Sequence, residues 1–343
     1  MFFASRRFER DLVRVKILVT GSAGHLGEAL MRTLRPDPHR RVVGLDIKAS
    51  PYTDVVGSIA DPACVAECME GVDLVYHAAT LHKPHVATHA IQAFIDTNVS
   101  GTLALLEAAV DHAVTDFIFT STTSVFGHAL RPAPGEPAAW VTEETVPVVR
   151  NIYGVTKKAA EDLCELFHRR QGLNCIILRT SRFFPEADDD RRRRERYSDA
   201  NLKTNEFLYR RVELEDVVTA HVKAAEKASV LGFGRYIISA TTPFRPEDRK
   251  DLNRNAPKAV RRRVPQYEDA YASLGWKMLD CIDRVYVNDA ARSDLGWEPK
   301  FDFPTVLERQ LAGEGPLSDL AAAVGSKGYH DEVFNDGPYP VDS

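Results

Sequence analysis

The sequence predicts an α/β fold: a Rossmann-type doubly wound parallel sheet with a small C-terminal α/β region. Three observations carry this. Apolar β-rich segments alternate with helical patterns over the first 180 residues. A glycine-rich turn joins the first strand to the first helix. After residue 180 the alternation gives way to charge runs and a stretch rich in Pro, Arg and Asp.

The elements follow in order. Residues 15–20 (VKILVT) form a continuous apolar run, as expected of a strand buried on both faces. Leu26, Leu30, Met31 and Leu34 then recur at helical spacing. Residues 42–47 (VVGLDI), 72–79 (VDLVYHAA), 117–120 (FIFT) and 174–178 (NCIIL) read as further strands. Residues 91–110 and 153–170 carry long helical patterns between them. Right-handed crossovers would place these helices on both faces of a parallel sheet. Farther on, 216–228 reads as a helix and 234–240 as a strand, and 289–295 with 303–311 as a closing helical region. The charge run 188–196 (DDDRRRRER) is expected to be a solvated loop. The expected division is a dinucleotide-binding domain over 14–180, a smaller substrate region over 181–312 and an extended tail over 313–343.

Composition narrows the function classes. The 343 residues carry 44 basic and 49 acidic side chains, a net charge of −5, which disfavours a nucleic-acid binder. No window approaches the roughly 18 apolar residues of a membrane span. The first 14 residues alternate apolar and charged side chains and hold no apolar stretch for a secretion signal. Five cysteines, an odd number, do not make a disulfide framework, and Cys64 and Cys68 lack the second pair a zinc site needs. A cytoplasmic protein without a metal is the expectation.

Residues 20–27, TGSAGHLG, sit between the first strand and the first helix. Gly21 permits a tight turn, Gly24 lets backbone approach a pyrophosphate, and Gly27 lets helix pack on strand. His25 and Leu26 open the helix, whose free N–H groups face the phosphates. Asp46 lies 19 residues beyond Gly27, where an acid binds a ribose 2′-hydroxyl and repels a 2′-phosphate. NAD is therefore expected rather than NADP.

Tyr153 and Lys157 are four residues apart at the start of a helix, on one face. A free tyrosine titrates near 10 and needs a neighbouring ammonium to work as a base near neutrality. The strand at 117–120 runs into Ser121-Thr122-Thr123-Ser124, a hydroxyl cluster at a carboxyl strand end, where ligands bind in such sheets.

On these residues the chain resembles the extended short-chain dehydrogenases/reductases of the NAD-dependent epimerase/dehydratase type. The resemblance covers about residues 14–230. It rests on TGSAGHLG, Asp46, YHAA (76–79), Asn98 in NVSGTLALLEAA, STTSVFG (121–127), the Tyr153/Lys157 pair and RTSRFF (179–184). It implies that Thr122 polarises the substrate carbinol or carbonyl, that Tyr153 is the acid/base, and that Lys157 holds the nicotinamide ribose and lowers the tyrosine pKa. Ala78 and Ala79 would line the cofactor, Asn98 would sit near its ribose or support the lysine, and Ser58 and Ile59 stand at the adenine. It also implies a homodimer, formed through residues 88–111 and 153–171.

The chain departs from the family at several places. Ser58 replaces the usual adenine-contacting Asp, and Asp61 lies nearby. Thr123 and Ser124 occupy positions where 4,6-dehydratases carry acids, which disfavours dehydration. They are then candidate substrate contacts. The interval from Arg179 to RRVELEDVV is short for a grip on a nucleotide diphosphate, and Tyr209 aligns with the family's arginine, leaving Arg210 and Arg211 as substitutes. Arg179 is open to a structural or a substrate-gripping role. His82, on the loop after the strand at 72–79, is a substrate contact or an ordinary loop residue.

The resemblance implies hydride transfer from a secondary carbinol of a sugar or sugar derivative, in the manner of a UDP-sugar 4-epimerase. The alternative is a net dehydrogenase or reductase of a smaller substrate, such as a sugar acid, lactone or other carbonyl compound. A non-catalytic NAD sensor is the third reading.

Overall fold

The apolar runs of the first half pair side by side in the computed structural model, which describes residues 15–133, 135–328, 330, 334 and 337–340. The N-terminal stretch considered for a secretion signal lies outside the described residues. Strands β1 (Val15–Thr20), β2 (Arg40–Asp46), β3 (Val55–Val56), β4 (Leu74–His77), β5 (Asp116–Thr122), β7 (Asn174–Thr180) and β8 (Phe233–Ile238) form one sheet. Its order is β3-β2-β1-β4-β5-β7-β8, and every pairing is parallel. The order reverses between β1 and β4, so a crevice opens there at the carboxyl edge. Thr20 pairs with His77, and the segments leaving β1 and β4 therefore emerge level.

The helices cover both faces, as continuous apolar strands require. Helix α1 (His25–Leu34) and helix α8 (Leu214–Leu231) enclose Ile17, Val19, Tyr76, Ile118, Ile176 and Leu178 on one face. On the other face α2 (Pro62–Met69), α4 (Gly101–Asp111) and α5 (Ile152–Gln171) enclose Leu18, Val75, Phe117, Phe119 and Ile177. The helix expected over 91–110 is interrupted. Residues Ile95–Ser100 form a wider π-helical turn between α3 (Ile91–Phe94) and α4. Turns of this kind are rare and are frequent at functional sites.

The expected domain boundary at 180 does not hold, because α8 and β8 return to the Rossmann sheet. The second core is built from α7 (Asp199–Glu206), α9 (Arg249–Leu252), α10 (Ala256–Arg263), α11 (Tyr267–Leu274) and α13 (Phe303–Leu311). Beside it β6 (Ala139–Val141) pairs with β9 (Arg284–Tyr286). Helix α12 (Asp289–Leu295) adds Ala291 and Leu295 to the α8 side of the first core.

Two further expectations are corrected. The arginines of the charge run form a short, largely exposed helix, α6 (Arg191–Arg196), which Asp190 caps by accepting the Arg192 N–H at 2.9 Å, while Asp188 and Asp189 before it are buried. The tail is not simply extended. Helix α14 (Asp319–Val324) buries Ala321 and Val324 in the first core. Ser318 caps it and donates its hydroxyl to Glu213 at 2.9 Å.

Candidate active site

The glycine turn has the geometry its composition predicts. Gly21 has φ +74°, and a side chain there would meet the backbone of Ala78 and Ala79 within 3.0 Å. A β-carbon on Gly27 would lie 1.9 Å from the Gly21 carbonyl. Turn, helix start and the Ala78–Ala79 segment therefore converge as backbone. Gly24 is the N-cap of α1 and brings no capping side chain, so the first N–H groups are left for an anion. Leu26 is buried in the core and acts there through its backbone only. Asp46 reaches the turn, accepting the Ala23 N–H at 3.0 Å and the Lys48 N–H at 2.9 Å. A carboxylate so placed fits a ribose diol and repels a phosphate.

The native protein should therefore bind NAD about tenfold or more tightly than NADP, and Asp46→Ala should narrow the gap. Titration calorimetry with both dinucleotides checks this, and equal or tighter NADP binding by the native chain contradicts it.

Ser58 and Ile59 act otherwise than expected. The Ser58 hydroxyl accepts the Ala60 N–H at 3.1 Å, a local turn contact. Ile59 is a buried core residue against Gly101. Asp61 does not replace the missing family acid, because its carboxylate caps α2.

The candidate catalytic residues gather at the carboxyl end of β5. Thr122 accepts the Ser124 N–H at 3.1 Å, and its hydroxyl stands beside that of Tyr153. Asn151 caps α5 by accepting the Gly154 N–H at 3.0 Å, which seats the first turn, with Tyr153, over residues 123–126. Thr123 is buried and Ser124 half-buried beside it. Lys157, one turn on, is buried with its Nζ 3.9 Å from the centre of the Phe119 ring.

The expected depression of the tyrosine pKa is not what this arrangement produces. Burial pushes the Tyr153 hydroxyl up to about 12, and only the neighbouring Thr122 hydroxyl opposes it. Burial also lowers Lys157 to about 7, with Cys164 and Glu161 acting weakly against it. Both groups are cut off from water, and the ammonium rests on an aromatic face, with Glu161 acting on it only through space.

The arginines are corrected too. Arg179 is buried in a two-pronged ion pair with Glu161 of α5, at 2.7 and 3.0 Å, and Ser121 donates to the same carboxylate at 2.6 Å. Arg211 is held by Glu206 at 2.8 Å and donates to the Phe184 carbonyl at 3.0 Å. Arg210 pairs with Asp188 at 2.6 Å and with Glu206. Arg179 and Arg211 therefore serve the scaffold rather than a substrate.

Asn98 also resolves as a positioning residue. The π turn carries it inward, where it accepts from Thr80 and the Leu81 N–H and donates to Thr156 at 3.0 Å. It ties the loop after β4 to α5 beside Lys157. His82 packs at 4.6 Å on His85 and 5.5 Å on Phe184, and burial keeps its pKa well below the ordinary value, with His85 adding to the effect. It is thus a neutral ring at the mouth of the crevice. Among the described residues no group of three or more His, Cys, Asp or Glu is placed to hold a metal ion.

Sequence reasoning missed two features. Thr20, His77 and Thr102 form a buried chain, at 2.8 and 3.0 Å, that braces the floor beneath the turn. The His25 side chain does not face a cofactor; its Nε2 contacts Glu186 Oε1 at 2.8 Å. Neither has a local sequence signal, since the partners are 25 to 161 residues apart.

The chain is similar to known proteins over this same region. It is 31% identical over 191 residues to the uncharacterized UDP-glucose epimerase YtcB of Bacillus subtilis (strain 168), covering 48% of this chain and 55% of that one. It is 27% identical over 189 residues to the uronate dehydrogenase of Pseudomonas syringae pv. tomato, covering 51% and 62%. The chain thus spans little more than half the length of these curated relatives. A short-chain dehydrogenase/reductase superfamily protein from Agrobacterium tumefaciens, solved with bound NAD, shares the fold with TM-score 0.61 and 24% identity, over 87% of this chain and 99% of that one. The family model for the NAD dependent epimerase/dehydratase family matches residues 17–238. Because that match runs from the first strand of the sheet to the last, the chain belongs to the NAD-dependent epimerase/dehydratase family, with NAD as its cofactor.

Proposed function

We propose that the protein is an NAD-dependent oxidoreductase acting on a secondary carbinol of a sugar or sugar derivative. The observation that carries this reading is the placing of the Thr122 and Tyr153 hydroxyls side by side at the carboxyl end of β5, with Lys157 one turn away. Bound NAD supplies the hydride acceptor. Thr122 orients the substrate oxygen, and Tyr153 takes its proton on oxidation and returns it on reduction. Lys157 offers an ammonium to the ribose hydroxyls, and residues 78–82 wall the site from water.

If the ketone is retained and reduced on its other face, the outcome is epimerisation, as the name of YtcB suggests for that relative. If NADH leaves, the outcome is net dehydrogenation, as in the uronate dehydrogenase. The pairing of Arg179, Arg210 and Arg211 with internal carboxylates favours a substrate smaller than a nucleotide sugar. Mass spectrometry of the purified protein for retained NAD, then a carbohydrate screen at the NADH absorbance, tests the reading. Activity on a carbinol supports it. NAD binding with no turnover of any carbohydrate would leave the sensor reading in its place.

We further propose a homodimer. Ile91, Ile95, Val155 and Leu166 expose large apolar side chains on the neighbouring α3, the π turn and α5. Val155 and Leu166 share one face of α5, and such a stripe fits a four-helix bundle with a second copy. Light scattering should give about twice the 38.2 kDa chain mass, and Val155→Glu should shift the particle to monomer. A native monomer at micromolar concentration contradicts the proposal. The cytoplasmic reading rests on five free cysteines, of which Cys164 and Cys175 lie side by side in the core as thiols.

A further inference from the structure

The chain does not leave the fold after α14. Gly325, at φ +66°, turns it back toward the carboxyl edge of the sheet. There Glu186, on the segment after β7, collects several donors on one oxygen. The Ser326 hydroxyl lies at 2.8 Å, the Lys327 N–H at 3.1 Å and the Gly328 N–H at 3.3 Å. The same oxygen faces His25 Nε2 at 2.8 Å, inside the glycine turn. The Lys327 ammonium pairs with Glu28 in the first turn of α1. His330 Nε2 donates to the Pro84 carbonyl at 3.1 Å, and its ring stands edge-on to His85 at 5.2 Å. Tyr339, buried, bonds Asp189 and lies 6.0 Å from the Lys83 ammonium.

These contacts visit the three segments that border the crevice: the start of α1, the loop after β4 and the segment after β7. They differ in kind from the core. Among the described residues beyond Val324 the attachment is mostly polar, with Tyr339 as its buried aromatic anchor. A segment held this way opens at a lower free energy than the sheet beneath it. Glu186 makes the attachment specific. It is buried, so loss of the tail would strip a carboxylate of donors that water does not easily replace. Burial alone would raise its pKa, yet His25 and Ser326 hold it down at about 2.

We propose that the C-terminal segment, through Ser326, Lys327, Gly328, His330 and Tyr339, straps the mouth of the dinucleotide site and must undock before NAD exchanges. The proposal rests on NAD occupying the glycine turn. It couples the tail to the cofactor through His25 and Glu28, on the same helix start that faces the pyrophosphate.

The test is stopped-flow displacement of NADH by excess NAD from the full-length protein. The double variant Lys327→Ala/His330→Ala and the single variant Tyr339→Ala should each release NADH at least about tenfold faster, while the main melting transition moves little. Release within twofold of wild type in both would overturn the strap. A second measurement needs no variant. Tryptic cleavage after Lys327 of the wild type should slow about tenfold when NADH saturates, and unchanged cleavage would also overturn it. Wild type that binds no NADH would refute the dinucleotide reading and the strap together. NADH that binds but leaves at the same rate from every variant refutes the strap alone.

Discussion

Tyr153→Phe should lower turnover by about a hundredfold or more while leaving NAD affinity within a few-fold. The substitution removes one hydroxyl and keeps the ring that fills the buried start of α5. Proton transfer by a positioned group is worth about 10²–10⁴ in rate. Here the hydroxyl stands beside that of Thr122, where the substrate oxygen would sit. Its pKa of about 12 gives the pH profile a definite sign. The phenol is protonated through the neutral range, so it is ready as the acid for reduction. Oxidation needs the phenolate and should quicken as pH rises from 7 toward 10. Thr122→Val should slow both directions and Thr122→Ser should be tolerated. Steady-state rates in both directions, with calorimetry for NAD, check these expectations. Near-normal turnover by Tyr153→Phe would move the acid/base role to Thr122 or His82.

Lys157→Met should do two opposite things: abolish most turnover and stabilise the fold. The side chain is wholly buried, and its ammonium titrates near 7 in place of 10.5. The folded state therefore binds this proton less tightly than the unfolded chain. Below pH 7 both states carry it, and the fold bears the whole penalty. Between 7 and 10.5 only the unfolded chain stays protonated, and the penalty fades to nothing. One unit corresponds to about 1.4 kcal/mol, so the gain from Lys157→Met at pH 6 should be a few kcal/mol and should vanish toward pH 10.5. Denaturant melts of both proteins at pH 6 and pH 10 measure it. Equal stability at both pH values would show that the ammonium is not buried as described. Retained turnover would remove Lys157 from the catalytic set. A fold that keeps a buried ammonium on Phe119 carries a stability cost at a place where the cofactor's ribose hydroxyls would be its partners.

What could be read directly was whatever local chemistry decides. The strand–turn–helix around Gly21, Gly24 and Gly27 is such a case, because backbone approach depends on residues a few positions apart. Tyr153 and Lys157 share a face because four residues make about one turn, and Asp46 meets the turn because β2 runs beside β1 in register. The fates of Arg179, Arg211, Asn98 and His25 were not legible. A buried ion or amide is assigned by whichever partner the fold brings to it, and those partners stand 5 to 161 residues away. The same holds for the domain boundary, since a strand such as β8 joins a sheet by pairing with β7 and not by any mark in its own residues. The sign of the tyrosine shift was hidden as well. Spacing shows that an ammonium is near, but only the packed structure shows that water is excluded, and desolvation then raises the tyrosine with only the Thr122 hydroxyl against it.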